Sequence, residues 1–348
     1  MQHIFVSLRD DNCIATFRLS DEGELRPLRW VEVPGGPAPM ATNPAGTRLY
    51  VAQRVSKHIS SFAVGADGSL DLIGKIATRG DSNCMWMDRG GRFLLSSYYR
   101  GEGVHVHATD ANGALIEEAV EWRDTALSAH CFMTDPSNRW AYACHIAAGI
   151  GPNCIYQYAF DTESGALTPL DPPTVTANNE AGPRHCCFHP TLPILYATNE
   201  QGGSVTAYHI DTATGALGEG ETVSLTPPDW SGNAGGTQIR ITADGAWVFA
   251  NVGGADRIAS LRVADDGSVV VTSYVESESG PRAIGLDASG RFLFSTGGDS
   301  GYFSVYRIAS DGGALTRVSR NALTDGQRRP AGERGSVPMW VCSTSSAR

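Results

Sequence analysis

Nowhere among the 348 residues does an apolar run reach the 18 or so needed to cross a bilayer as a helix, so no membrane span is expected. No basic stripe stands out either. A net charge of −10 argues against nucleic acid as a partner, and none is expected. The opening residues Met1-Gln2-His3-Ile4-Phe5-Val6 run straight into a strand-like segment without a charged leader or an apolar h-region. A secretory signal is therefore not expected, and the chain reads as cytoplasmic. The cysteines (Cys13, Cys84, Cys131, Cys144, Cys154, Cys186, Cys187, Cys342) form no CxxC pattern, and no HxxxH spacing accompanies them. Cys131, Cys144, Cys186 and Cys187 do fall near His130, His145 and His185, but the spacing supports no metal site. Reduced, buried thiols are expected in the absence of export. The glycine-rich run at 231–236 lacks the strand-to-helix context of a phosphate cradle and reads as a loop bordering a channel. Gly298-Asp299-Ser300 lacks a nucleophile elbow, so a serine hydrolase is not indicated. No cofactor is expected.

What the chain has in abundance is glycine and proline, 40 and 18 residues, placed as turn punctuation between short apolar runs. One motif recurs seven times: Gly23-Glu24-Leu25, Gly68-Ser69-Leu70, Gly113-Ala114-Leu115, Gly165-Ala166-Leu167, Gly215-Ala216-Leu217, Gly267-Ser268-Val269 and Gly313-Ala314-Leu315. Its steps are 45, 45, 52, 50, 52 and 46 residues, a period that signals repeated supersecondary units. Each unit holds three or four strand-like runs, at 84–118, 130–170, 184–220, 237–272 and 281–318 among others, which reads as an antiparallel meander. Asp67-Gly68, Asn112-Gly113 and Asp266-Gly267 supply the hairpin turn residues. The first unit, residues 3–28, lacks its inner strand, and residues 337–342 near the C-terminal end can provide it. Pairing of the two ends would close a ring and protect its edges. The expectation is an all-β, seven-bladed β-propeller of four-stranded antiparallel blades, one domain over residues 1–348. A β-sandwich would not need seven copies at this period.

Aligning the units brings Ala38, Ser82, His130, Arg184, Thr237 and Arg282 to the start of each inner strand. Gln53-Arg54, Ser97-Tyr98, His145-Ile146, Asn199-Glu200, Val252-Gly253 and Gly297-Gly298 fall at the end of each second strand. Adjacent antiparallel strands begin and end on one side, so both sets belong to one face near the axis. His130, Arg184, Arg282, Glu200 and His145, with Arg54 and Tyr98 beside them, would supply cations, a carboxylate and imidazoles to an anionic substrate. His185 alternates to the other strand face, as suited to a packed core as to ligand contact. Arg240 is out of phase and reaches the channel only if a bulge intervenes. Trp86, Trp140, Trp247 and Trp340 read as packing between blades.

Residues 181–185 (Ala-Gly-Pro-Arg-His), Phe188-His189-Pro190, Thr198-Asn199-Glu200, Gly280-Pro281-Arg282 and Pro338-Met339-Trp340-Val341 resemble the pattern of bacterial propeller-type 6-phosphogluconolactonases. Ala129-His130 and residues 239–245 match as well, so the resemblance spans essentially the whole chain. The same superfamily includes the fungal 3-carboxy-cis,cis-muconate lactonising enzyme. The resemblance implies a metal-independent lactonase acting on a small anionic sugar-acid lactone. It carries over His130 or His145, Arg184, Glu200, Arg240 and Arg282. In that reading Arg184, Arg282 and Arg240 bind the substrate and the oxyanion, with Arg54, Tyr98 and His185 as further substrate contacts. Glu200 or His130 is the base, and His145 the proton donor. A muconate-type cycloisomerase and a non-enzymatic propeller presenting a face to a protein partner are the alternatives. A monomer or small homo-oligomer is expected. The chain departs from the family at 144–154, a longer insertion without the usual acid, and at 98–102, a bulkier loop.

Overall fold

The computed structural model describes residues 2–101, 103–310, 313–323 and 337–344. Glu102, part of the bulky loop noted above, lies outside them. Seven antiparallel sheets of four strands each stand around a common axis. Their inner strands, for blades one to seven, are Pro338–Thr344, Pro37–Thr42, Ser82–Met87, Ala129–Thr134, Pro183–Phe188, Gly235–Ile241 and Pro281–Leu286. Blade one is composite, as expected: Pro338–Thr344 pairs with Gln2–Leu8, with Phe5 opposite Cys342 and Val6 opposite Val341. The helical element among the described residues is a single 3-10 turn, Asn178–Glu180.

Stacked blades explain the hydrophobic pattern. A second strand has a neighbouring blade against each face, so Trp140–His145 and Ile194–Asn199 are buried throughout rather than alternating. An outermost strand meets water on its rim, and Leu167–Thr176 is accordingly half polar and mostly exposed. The core therefore lies between blades: Phe93, Leu95, Val104 and Val106 of blade three pack on Phe132, Ala141, Ala143 and Tyr158 of blade four.

The recurrent glycines have a larger part than turn punctuation. All seven have positive φ, a conformation that glycine reaches without steric cost. Each also rests on a side chain of the preceding blade. A Cβ on Gly215 would lie 2.4 Å from the Trp140 ring, and one on Gly313 would lie 2.2 Å from the Trp247 ring. Gly23 of blade one meets Phe292 of blade seven, so the contact runs round the closed ring. The hydroxyls of Tyr50, Tyr142 and Tyr196 donate to the carbonyls of Gly113, Gly215 and Gly267 in the next blade. The motif is thus the seam between blades. Trp140 and Trp247 pack at that seam, as their strand positions suggested.

Candidate active site

A repeated irregularity at the top of the inner strands builds the site. In all seven blades the pairing of first and second strands skips near the inner strand's start. Ser82 pairs with Tyr98 and Cys84 with Ser97, which leaves Asn83 without an opposite residue. The same skip leaves out His130, Arg184 and Arg282. In blade one it leaves out Met339, and in blades two and six two residues face one, at Ala38-Pro39 and Thr237-Gln238. A β-bulge bends its strand and re-aims side chains. Here the bulged residues converge on the axis and line one pocket of about 250 Å³: Ala38, Pro39, Asn83, His130, Arg184, Gln238, Arg282 and Met339, completed by Arg54, Tyr99, His185 and Trp340.

The pocket is cationic and partly neutralised. Arg184 Nε donates to Glu200 Oε2 at 2.5 Å, and Arg54 Nη2 to Asp81 Oδ2 at 2.7 Å. Arg282 lies against Gly298 and has no ion pair among the described residues. Aromatic faces supply the rest: the Tyr99 ring stands 5.4 Å from His130, and Trp340 stands 6.0 Å from His185.

Both pocket histidines have assignable tautomers. Arg184 Nη1 lies 2.9 Å from His185 Nδ1, and a guanidinium can only donate, so Nδ1 accepts and the proton sits on Nε2. Asn83 Nδ2 donates to the Ala129 carbonyl, while Asn83 Oδ1 accepts from Ser97. That amide orientation is fixed, so Nδ2 also faces His130 Nδ1 as a donor at 3.3 Å, and His130 likewise carries its proton on Nε2. Burial first, and Arg184 second, hold both imidazoles well below the ordinary histidine pKa. They are neutral donors near pH 7. His185 Nε2 is buried and has no hydrogen-bond partner among the described residues.

Several expected positions are corrected by the same geometry. His145 does not reach the pocket. It is fully buried, donating from Nδ1 to the Ala143 carbonyl and accepting at Nε2 from the Thr125 hydroxyl. Tyr98 is likewise buried against His105, with ring centroids 4.1 Å apart, and its successor Tyr99 faces the pocket. The reason is common to both: the inner strand stands between a second-strand side chain and the axis. His185 does line the pocket, because the bulge at Arg184 points two consecutive side chains to the axis. A bulge also brings Arg240 to the channel, but below the pocket, where its guanidinium stands 5.1 Å over the Trp86 ring. Trp86 and Trp340 therefore face the channel rather than the seams. Glu200 meets the pocket through Arg184. The insertion at 144–154 is pinned to blade five, with Gln201 accepting from Ala147 N and Asn153 accepting from Gly182 N. Cys131 and Cys186 place their sulfurs 3.8 Å apart, yet among the described residues no group of three or more His, Cys, Asp or Glu is arranged to hold a metal ion.

The ring and its lining define the class: a closed seven-bladed β-propeller with an arginine- and histidine-lined pocket on its axis. A family model described as Lactonase, 7-bladed beta-propeller matches residues 4–328. The 6-phosphogluconolactonase of Serratia proteamaculans is 31% identical over 341 residues, 98% of each chain. That of Yersinia pestis (strain Pestoides F) is 29% identical over 98% of this chain and 97% of its own. The periplasmic gluconolactonase PpgL of Pseudomonas aeruginosa superposes with a TM-score of 0.85 over 99% of both chains at 19% identity. The chain belongs to the seven-bladed β-propeller lactonase family.

Proposed function

We propose that the chain hydrolyses a sugar-acid lactone in the axial pocket, without a metal, and that 6-phosphogluconolactone or a close relative is its substrate. The observation that carries this is the convergence of the bulged residues. Three arginines against two carboxylates leave the pocket with excess positive charge for an anionic sugar, while Tyr99 and Trp340 offer flat faces to its ring. Relatives about 30% identical over nearly the whole chain are named for this activity.

In the reaction, water adds to the lactone carbonyl. Glu200, held by Arg184 through Oε2, takes the water's proton on its remaining oxygen. The oxyanion that forms is stabilised by Arg184 and by the Nε2–H group of His130. A neutral imidazole donates there as an electrophile without needing to be protonated. Collapse breaks the bond to the ring oxygen, and the proton held by Glu200 returns to that alkoxide, which leaves as the hydroxyl of the open acid. Arg282 binds the substrate's exocyclic anion. His145 and Tyr98 have no part in this scheme.

The eight free thiols accord with a reducing, cytoplasmic compartment. A pH-stat comparison of glucono-δ-lactone and its 6-phosphate, alongside an ultraviolet assay on muconates, tests the reading. Hydrolysis of a sugar lactone well above the buffer rate supports it. Turnover of muconates alone would replace it with a cycloisomerase.

A further inference from the structure

A second cavity, of about 390 Å³, opens at the other mouth of the central channel, on the face opposite the axial pocket. It lies beside the hairpins that end the inner strands, and Trp86, Arg89, Met133, Pro136, Phe188, Pro190 and Arg240 are among its lining residues. Arg240 enters from blade six and Trp86 from blade three. In a ring of seven these are as far apart as blades can be, so the Arg240–Trp86 contact at 5.1 Å spans the channel.

The cavity's arginines are not closed off by ion pairs, although Asp135 attracts Arg89 from a distance. Neither Arg89 nor Arg240 has an ion pair among the described residues. Of the five N–H donors of Arg240, the described contact is one bond from Nη1 to the Ile239 carbonyl at 2.7 Å. Around it stand Cys84, Cys131, Cys187 and Cys342, which are thiols and not carboxylates. The two nearby acids are spent on their own hairpins. Asp88 accepts from the amides of Gly90, Arg92 and Phe93 and from Asn138, and Asp135 accepts from the amides of Ser137, Arg139 and Trp140. The indole N–H of Trp86 is buried, without a hydrogen-bond partner among the described residues. Arg240 is half-buried and Arg89 exposed, so both keep donors free toward the cavity, and a carboxylate entering it can take them in charge-assisted hydrogen bonds. The walls are apolar: Met133, Phe188, Pro136 and Pro190.

We propose that this lower mouth is a second ligand site, distinct from the axial pocket, that binds a small organic carboxylate with an apolar body. The carboxylate sits between Arg240 and Arg89, and the body lies on Phe188 and Met133. The site performs no chemistry on its ligand. It offers the chain a place to sense an organic acid from the face opposite the substrate.

Isothermal titration with benzoate, acetate and inorganic phosphate tests this directly and needs no turnover, so its outcome is independent of the lactonase reading. Benzoate should bind saturably and more tightly than acetate or phosphate. Loss of one guanidinium should weaken it by about tenfold in Arg240→Gln and several-fold in Arg89→Gln. Arg282→Gln, in the axial pocket, should leave benzoate affinity unchanged. Arg89 is exposed, so Arg89→Gln keeps the test decisive if Arg240→Gln fails to fold. No saturable benzoate binding, equal affinity in wild type and Arg89→Gln, phosphate binding tighter than benzoate, or dependence on Arg282 would each overturn the proposal.

Discussion

Acidification should destabilise this propeller through its buried histidines, and His145 gives the cleanest measure. Its side chain is 0% exposed, and burial pushes its pKa from 6.5 down to about 4. His107, 3% exposed, is pushed down to about 4 by burial as well. A folded-state pKa below the unfolded one means that the unfolded chain binds the proton first. Stability is then complete above about pH 6.5 and falls as the pH drops toward the folded value. For one such imidazole the loss at about pH 5 is about 2 kcal/mol, so the pair contributes about 4 kcal/mol. His130 and His185, lowered by burial and by Arg184, act in the same direction. Such losses are large against a net stability of about 5–15 kcal/mol. The assay is urea unfolding followed by tryptophan fluorescence and circular dichroism from about pH 8 to pH 5, in wild type and in His145→Gln. The variant loses some stability at every pH, but its drop across the window should be smaller by about 2 kcal/mol, because glutamine does not titrate. Equal drops in the two proteins would refute the assignment.

Tyr99→Ala should raise KM several-fold with kcat less affected, whereas Tyr98→Phe should leave both unchanged, because only Tyr99 faces the pocket; steady-state kinetics decide. Gly215→Ala forces a Cβ into the Trp140 ring at positive φ and should cost about 1–3 kcal/mol in chemical unfolding. Ellman's reagent at about pH 8 should find no fast-reacting thiol in the native protein, since seven of the cysteines are buried from the reagent and burial pushes the eighth, Cys342, up to about 12, and eight thiols after denaturation.

The ring was legible because it is written as a period. Gly23 through Gly313 repeat, and the unpaired strand at one end matches the vacancy at the other. Which residues begin the inner strands was legible too, so His130, Arg184 and Arg282 were placed at one rim. What the sequence does not display is the bulge beneath them. One extra residue in a strand has no compositional mark of its own, yet it reverses the strand's facing from that point on. Strict alternation therefore put His185 on the strand face away from Arg184, and Trp86 and Trp340 were read as seam packing, although all three face the channel. The error at His145 and Tyr98 has another source. Their height in the disc was read correctly, but not their radius, because a second strand stands behind the first. Arg240 was correctly tied to a bulge, but its depth in the channel depends on a register that only coordinates supply.

The account's central claim is that the bulged residues form one hydrolytic site in which Arg184 positions and Glu200 takes the proton. The measurement that addresses it most directly is kcat/KM for lactone hydrolysis by Glu200→Gln, corrected for spontaneous opening, with folding checked by circular dichroism. Loss of a general base predicts a fall of about 10²–10⁴-fold in a protein that melts like wild type. Wild-type turnover in the folded variant would contradict the account.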